Sequence, residues 1–403
     1  MSASGAHRTP RLVAAVAATL AVQSLTAMAL AVPSVLAPVA AGDLDVPPTA
    51  VGRWVGFSYT VAMFAGLAGG TFVHRYGPVR VLQLASLGVA LGLAIGAGAN
   101  VALLLVCGAL LGAAHGLVNP ASSAILAVAS PPQVRSMVFS IKQTGVPLGG
   151  ALAGMLVPAL LLSMSWQAAA LVLALGGAVL FALVAPYRRA YDATRRRERL
   201  HLRGFAAPVA EVWANRPVLE LALVSAIYAA VQMSFITYLV SYLKIELRYS
   251  LLAAGLVFSA SQISGAVGRV VWGAVADYVF TPRAVLAALG LVMALCGIAL
   301  ALLTPEWSRA AVLAVCVLYG ATAVGWNGVF LAEVARLAPD GRVAILTGGT
   351  QFFTFGGVLI GPPVFGAIAS ATGSYGAGFI AAAVLPLLAV AGMIAGARPG
   401  PTT

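Results

Sequence analysis

Twelve continuous apolar runs, each about the length needed to cross a bilayer as a helix, partition this chain. They are read at 12–40, 54–73, 79–99, 101–129, 137–163 and 167–186, then at 217–243, 250–277, 284–303, 309–336, 343–371 and 376–396. About 20 apolar residues span the hydrocarbon core at a helical rise, and a run that long has few other ways to satisfy its backbone. The runs do not alternate, which argues against an outer-membrane barrel. Charged residues make up 8% of the 403 positions, where a soluble domain carries about 25%. The expected fold is an all-α polytopic membrane protein with twelve transmembrane helices.

The formal net charge of +12 invites a nucleic-acid reading, but its placement opposes one. Eight of the 23 Lys and Arg fall between Arg188 and Arg216, and most of the others sit in alternate loops. That is positive charge retained on one side of a membrane, and no separate basic domain exists to hold a nucleic acid. The side with both termini and the even-to-odd loops carries 17 Lys or Arg, and the opposite side has Arg53, Lys244, Arg248 and Arg309. Both termini are therefore expected in the cytoplasm, with the chain in a bacterial-type inner (plasma) membrane. His7, Arg8 and Arg11 precede an apolar run that continues to about Ala41, too long for a cleaved signal, so it is read as the first span. Cys107, Cys296 and Cys316 all lie in apolar runs and suggest neither disulfides nor a metal site. No nucleophile–base or metal constellation points to an enzyme or to a cofactor.

The chain also repeats itself. The only long polar connection is 187–216, dividing an amino-terminal half (1–186) from a carboxyl-terminal half (217–403). Gly70–His74 (G-T-F-V-H) after span 2 matches Gly273–Asp277 (G-A-V-A-D) after span 8, and Arg135 through Gly150 matches Arg342 through Gly357. Asn119 in span 4 has its counterpart in Asn327 in span 10. Parallel six-helix repeats are a transporter architecture. The segment Gly70–Arg80 (G-T-F-V-H-R-Y-G-P-V-R) resembles the loop signature of the major facilitator superfamily, G-x-L-A-D-R-x-G-R-R. Gly70, Arg75, Gly77 and Arg80 agree with it, while His74 replaces the usual Asp and Pro78 and Val79 replace the basic pair. The second half keeps Gly273 and Asp277. The resemblance implies two six-helix repeats, a gate built on these residues, and a cavity lined by spans 1, 2, 4, 5, 7, 8, 10 and 11. Spans 6, 9 and 12 are almost free of polar residues and span 3 has only Gln83 and Ser86, as lipid-facing helices should be.

Two charges lie inside spans: Lys142 in span 5 and Arg269 in span 8. A charge at mid-membrane costs at least about 2.5–3.5 kcal/mol on insertion scales, so it normally faces protein or a watery cavity. Both lie about 10–12 Å from the inner helix ends at 1.5 Å per residue, at comparable depth in opposite halves. No Asp or Glu falls mid-span; Glu220 and Glu333 lie near helix ends. Two cations without a buried acid give a positive field that favours an anion, and arginine's planar fork suits a carboxylate. Helical spacing aligns Ser259, Gln262 and Arg269; Tyr228, Gln232 and Phe235; His115, Asn119 and Ser122; Thr347, Gln351 and Thr354; and Tyr319, Thr322 and Trp326. Span 1 offers Gln23 and Thr26, and Gln143 and Thr144 follow Lys142. Each has a structural alternative: the amides as glue between helices, the aromatics as core, Arg269 as a partner of backbone carbonyls or Asp277.

The Arg269–Gly273 spacing is similar to that of monocarboxylate and oxalate–formate type carriers, whose arginine there is held to engage a carboxylate. The expected function is secondary transport of a small organic anion, a mono- or dicarboxylate, by a monomer in the lipid bilayer. Arg269 and Lys142 would grip the anion, with Gln262, Gln232, Tyr228, Asn119, Gln351 and Trp326 around it. His115 is the expected carrier if protons are coupled, since imidazole titrates near working pH. Efflux of amphipathic compounds is the rival, on the strength of Met28, Met63, Met233 and the G-V-P-L-G-G run at Gly145–Gly150, which resembles an antiporter motif. A non-transporting solute sensor is the remaining alternative.

Overall fold

The computed structural model describes residues 3–131, 134–193, 206–339 and 343–396. Among the described residues the secondary structure is helical throughout, with no strand. In chain order the helices are α1 (Ala3–Asp43), α2 (Val51–Tyr76), α3 (Pro78–Gly96), α4 (Val101–Ala129), α5 (Arg135–Gln143), α6 (Gly145–Leu160) and α7 (Trp166–Leu183). The short α8 (Arg188–Tyr191) and α9 (Ala206–Ala214) follow. The second series is α10 (Arg216–Ile245), α11 (Leu251–Tyr278), α12 (Pro282–Leu302), α13 (Arg309–Ala323), α14 (Asn327–Leu337), α15 (Val343–Thr372) and α16 (Tyr375–Gly396). Twelve stretches among the described residues are long and apolar enough to cross a membrane, so this is a multi-pass membrane protein.

Several helix starts follow directly from sequence. Asn100, Ser165, Asn215, Ser250, Thr281 and Ser308 each place a side-chain oxygen on a backbone N–H of the first turn, satisfying a donor that the helix leaves open. Helix α3 begins after Gly77, which has no side chain to offer; Asp192, at the end of α8, accepts from Val79 N at 2.8 Å and Arg80 N at 3.2 Å instead. Gly77 is required there twice over. Its φ is +92°, and a Cβ would meet the Asp192 carboxyl at 2.4 Å.

Spans 5 and 10, expected to be continuous helices, are each broken. Span 5 turns at Thr144 between α5 and α6, because Pro147 lacks the N–H that would have bonded Gln143 and its ring crowds that carbonyl. Span 10 breaks over Val324–Trp326, within a stretch containing Gly320, Gly325 and Gly328, where glycine makes continued helix unfavourable.

The chain forms two compact units: residues 1–46 with 57–203, and residues 47–56 with 204–403. Pro47–Gly56, in the amino-terminal half by sequence, thus belongs to the second unit, and α2 is shared between the two. Within each unit the same pairings recur. In the first, α1 packs on α6 and α3 on α7; in the second, α10 packs on α15 and α12 on α16. Close approach at these seams needs absent side chains: a Cβ at Gly149 would lie 2.3 Å from Ser24 O, and one at Gly357 only 1.8 Å from Ala226 O. The expected repeat partner Arg342 and the middle of the basic linker (194–205) lie outside the described residues.

Candidate functional site

In the first unit the polar groups gather around the end of α5. Lys142, the penultimate residue of that helix, is 2% exposed, and its ammonium donates to Asn119 Oδ1 and, at 3.3 Å, to Gln143 Oε1. Asn119 is itself exposed, so an open amide fronts an enclosed charge. Among the described residues the ion pairs involve Arg188, Arg216, Arg283 and Arg336, and none involves Lys142. One turn before Asn119, buried His115 stands edge-on to Tyr59, with ring centroids 5.9 Å apart, and lies within electrostatic range of Lys142. Its Nδ1 has no hydrogen-bond partner among the described residues. From α1, Gln23 is fully enclosed, neither amide atom has a partner among the described residues, and its stem lies against Gly145 just past the break. Tyr59 was not legible from spacing, because span 2 shows no polar register around it.

In the second unit the amides form a different cluster. Gln232 Oε1 on α10 accepts from Trp326 Nε1 at 3.0 Å and from Asn327 Nδ2 at 3.3 Å. Trp326 and Tyr228 are wholly enclosed and meet edge to face at 5.7 Å. The Tyr228 hydroxyl donates to Leu286 O at 2.6 Å, tying α10 to α12. Here both aromatics are buried among the core side chains. Gln262 is 2% exposed and its Nε2 has no partner among the described residues; nor has the Tyr319 hydroxyl. Gln351 is half-buried on α15. Thr354, aligned with it, bonds across to Ser225 at 2.9 Å and so serves the α10–α15 seam.

Arg269 is half-buried on α11, and its Nε donates to Val324 O at 3.1 Å. One turn on, Trp272 Nε1 donates to Ala321 O at 2.8 Å. Both acceptors are carbonyls at the broken end of α13, which the break leaves without helical partners. A cation at a helix carboxyl end also complements its dipole. The carbonyl-binding role that sequence left open for Arg269 is therefore realised at Nε. Lys142 and Arg269 belong to different units.

The residues of the loop motif make few polar contacts. Arg75 is exposed, its guanidinium 5.5 Å from the Tyr76 ring centre, and Asp277 is exposed and in none of the ion pairs among the described residues. Gly70 and Gly273 have open space where a Cβ would stand. Beside the motif, Asp192, which sequence did not single out, caps the start of α3 through Val79 N and Arg80 N. In the second unit the charges concentrate on Glu333, fully buried, which takes Arg336 through two bonds of 2.7 and 2.6 Å and has Arg283 at 3.7 Å. No grouping of three metal-ligating side chains occurs among the described residues.

Comparison with known proteins places this geometry. The chain is 25% identical over 384 residues to the hexuronate transporter of Bacillus subtilis (strain 168), covering 91% of this chain and 90% of that one. It is 33% identical over 162 residues to monocarboxylate transporter 13 of Rattus norvegicus, 40% of this chain and 37% of that one. Its fold matches the nucleoside transporter NupG (TM-score 0.77, 16% identity, 94% of this chain and 99% of that). It also matches a bacterial homologue of the human lysosomal transporter Spinster in an inward-facing, unoccupied conformation (TM-score 0.76, 18% identity, 98% and 99%). Residues 19–362 match the family model itself, and the chain belongs to the Major Facilitator Superfamily, a family of transporters rather than enzymes.

Proposed function

We propose that this transporter moves a small organic anion, a mono- or dicarboxylate, across a bacterial-type inner membrane with both termini in the cytoplasm. The two six-helix halves, 1–186 and 217–403, rock about the site in alternating access. The observation that carries the reading is Lys142: an enclosed ammonium whose hydrogen bonds run to two neutral amide oxygens. A buried charge without a counter-ion is costly, and an anionic solute supplies one. The two curated relatives are named for hexuronate and for monocarboxylates, which are carboxylates in both cases. Arg269 binds the anion from the second half while holding the α13 end. Asn119, Gln232, Gln262 and Gln351 add hydrogen bonds, and Tyr228 and Trp326 back the Gln232 amide. His115 is the proton carrier if the anion moves with a proton.

Uptake of labelled carboxylates into proteoliposomes tests this, comparing the parent with Lys142→Ala and Arg269→Ala. Transport should fall at least about tenfold in each, the loss of one charged hydrogen-bond partner. Anion transport retained in both variants removes the charge-pair reading, and export of amphipathic cations surviving both substitutions favours the efflux alternative. For His115, proton dependence unchanged in His115→Gln removes its role.

A further inference from the structure

A small cavity shares no residue with the groups assigned to the carried solute. It holds about 230 Å³ and lies within the second unit, where the start of α2 meets α15. Thr49 and Arg53 line it from the first stretch, Pro363 and Ser370 from the second, although 321 residues separate Thr49 from Ser370. None of the described residues that line it is acidic. Arg53 and Ser370 are exposed, so the cavity is reached from outside the fold. The Arg53 guanidinium is in none of the ion pairs among the described residues. It lies within electrostatic range of the Tyr238 hydroxyl, whose own bonds run to Thr49 O and Pro362 O, and this keeps the charge beside the cavity.

The backbone acceptors there are already engaged. Pro47 O takes Ala50 N–H at 2.9 Å, Pro48 O takes Val51 N–H, and Thr49 O and Pro362 O face the Tyr238 hydroxyl at 2.9 Å. Donors are left over. A guanidinium carries five N–H groups and no acceptor. The Thr49 and Ser370 hydroxyls, 2.7 Å apart, use one hydrogen on each other and keep the second to give. Pro47 and Pro363 complete the lining with rings that have no N–H and little freedom, so these walls are set before a ligand arrives. Volume restricts the ligand further, since sites for drug-sized molecules run from about 300 to 1,000 Å³. We infer that the cavity binds a small oxyanion, a phosphate or a short carboxylate, with its oxygens on Arg53 and on the Thr49–Ser370 hydroxyl pair. Bound there, the anion ties the 47–56 segment to α15 beside the Tyr238 bond.

Full-length protein purified in an uncharged detergent can be titrated with inorganic phosphate, with chloride at matched ionic strength as the control. Binding is read by calorimetry and by a rise in Tm. Phosphate should bind saturably and raise Tm by about 2 °C at ten times its Kd, with chloride inert. Arg53→Gln should weaken binding at least about tenfold and Ser370→Ala about threefold. Arg309→Gln, at an exposed arginine that does not line the cavity, should leave it unchanged, and so should Lys142→Ala. Dioctanoylphosphatidylglycerol against dioctanoylphosphatidylcholine separates the sources of the anion. A rise with the first alone that Arg53→Gln abolishes assigns a lipid headgroup, and a rise with phosphate assigns a free solute. No saturable response to either anion overturns the inference. Binding that survives Arg53→Gln, or that is lost in Arg309→Gln or Lys142→Ala, overturns it too. Where Arg53→Gln does not fold, Arg53→Lys takes its place: the planar fork is lost, so affinity should drop about threefold, and unchanged affinity sinks the idea.

Discussion

Asp192 shows how one carboxylate can hold together parts of a chain that are far apart in sequence. Its two oxygens take the open N–H groups of Val79 and Arg80, more than a hundred residues earlier. The Arg188 guanidinium at 3.7 Å is part-exposed and adds little, as such pairs usually do. If capping is the role, Asp192→Asn should lose part of the effect, because its amide keeps one acceptor for two N–H groups, and Asp192→Ala should cost ~1 kcal/mol, read as a fall in Tm in detergent. Equal losses in both would assign the role to charge instead. Tyr228 invites a similar division. Removing its hydroxyl in Tyr228→Phe should cost about 1 kcal/mol of stability and leave KM untouched, since Leu286 O is its partner. A raised KM at unchanged stability would return it to the solute site. Glu333→Gln removes the acid that Arg336 and Arg283 share, but Arg336 is largely exposed and Arg283 keeps Glu220, so the cost should be about 1–2 kcal/mol. Thermal unfolding of that variant against Glu333→Asp measures it.

At the scale of elements, the helices were largely readable and their interruptions were not. Apolar runs and capping residues such as Asn100 and Ser250 mark where most spans begin, because both signals are local. The break in span 5 has a local cause in Pro147, yet Pro120 in α4 and Pro158 in α6 sit inside unbroken helices, so proline alone does not announce a break. Whether freed carbonyls find other donors decides the matter, as Arg269 and Trp272 do for α13, and that depends on a neighbouring helix. Lys142 stood out as a charge inside a span and Asn119 and His115 through their helical spacing, while Tyr59 and Asp192 were missed. The helix α9 belongs with these: it lies in a segment that reads as a basic linker, yet it packs on α15, with Val212 fully buried and Trp213 stacked on Phe353. A Cβ at Gly349 would lie 2.3 Å from Pro208 O. Gly349→Leu should therefore undock α9, seen as faster amide exchange across Ala206–Ala214 with α10 unaffected.

At the scale of the whole molecule, the ten residues Pro47–Gly56 are the unexpected element. They are fastened within the second unit by the enclosed Tyr238 hydroxyl, 2.9 Å from both Thr49 O and Pro362 O, and by Thr49 against Ser370 at 2.7 Å. Gly52 and Gly366 clear the space for that hydroxyl, with Cβ positions 1.9 and 2.2 Å from it. A cavity of about 230 Å³ beside it is lined by Arg53, Thr49, Ser370 and Pro363. Tyr238→Phe should loosen the attachment by about 1 kcal/mol, the worth of one buried bond. Labelling of a Val55→Cys reporter, which is buried within the segment, by a thiol reagent should then speed up severalfold, and unchanged labelling would show that the hydroxyl is not what fastens the segment. Because α2 runs on from Gly56 into Phe57 and the first unit, one helix has its first turns fastened in one unit and its remainder in the other, and substitutions at Gly52 or Tyr238 act on how that helix is anchored at its start.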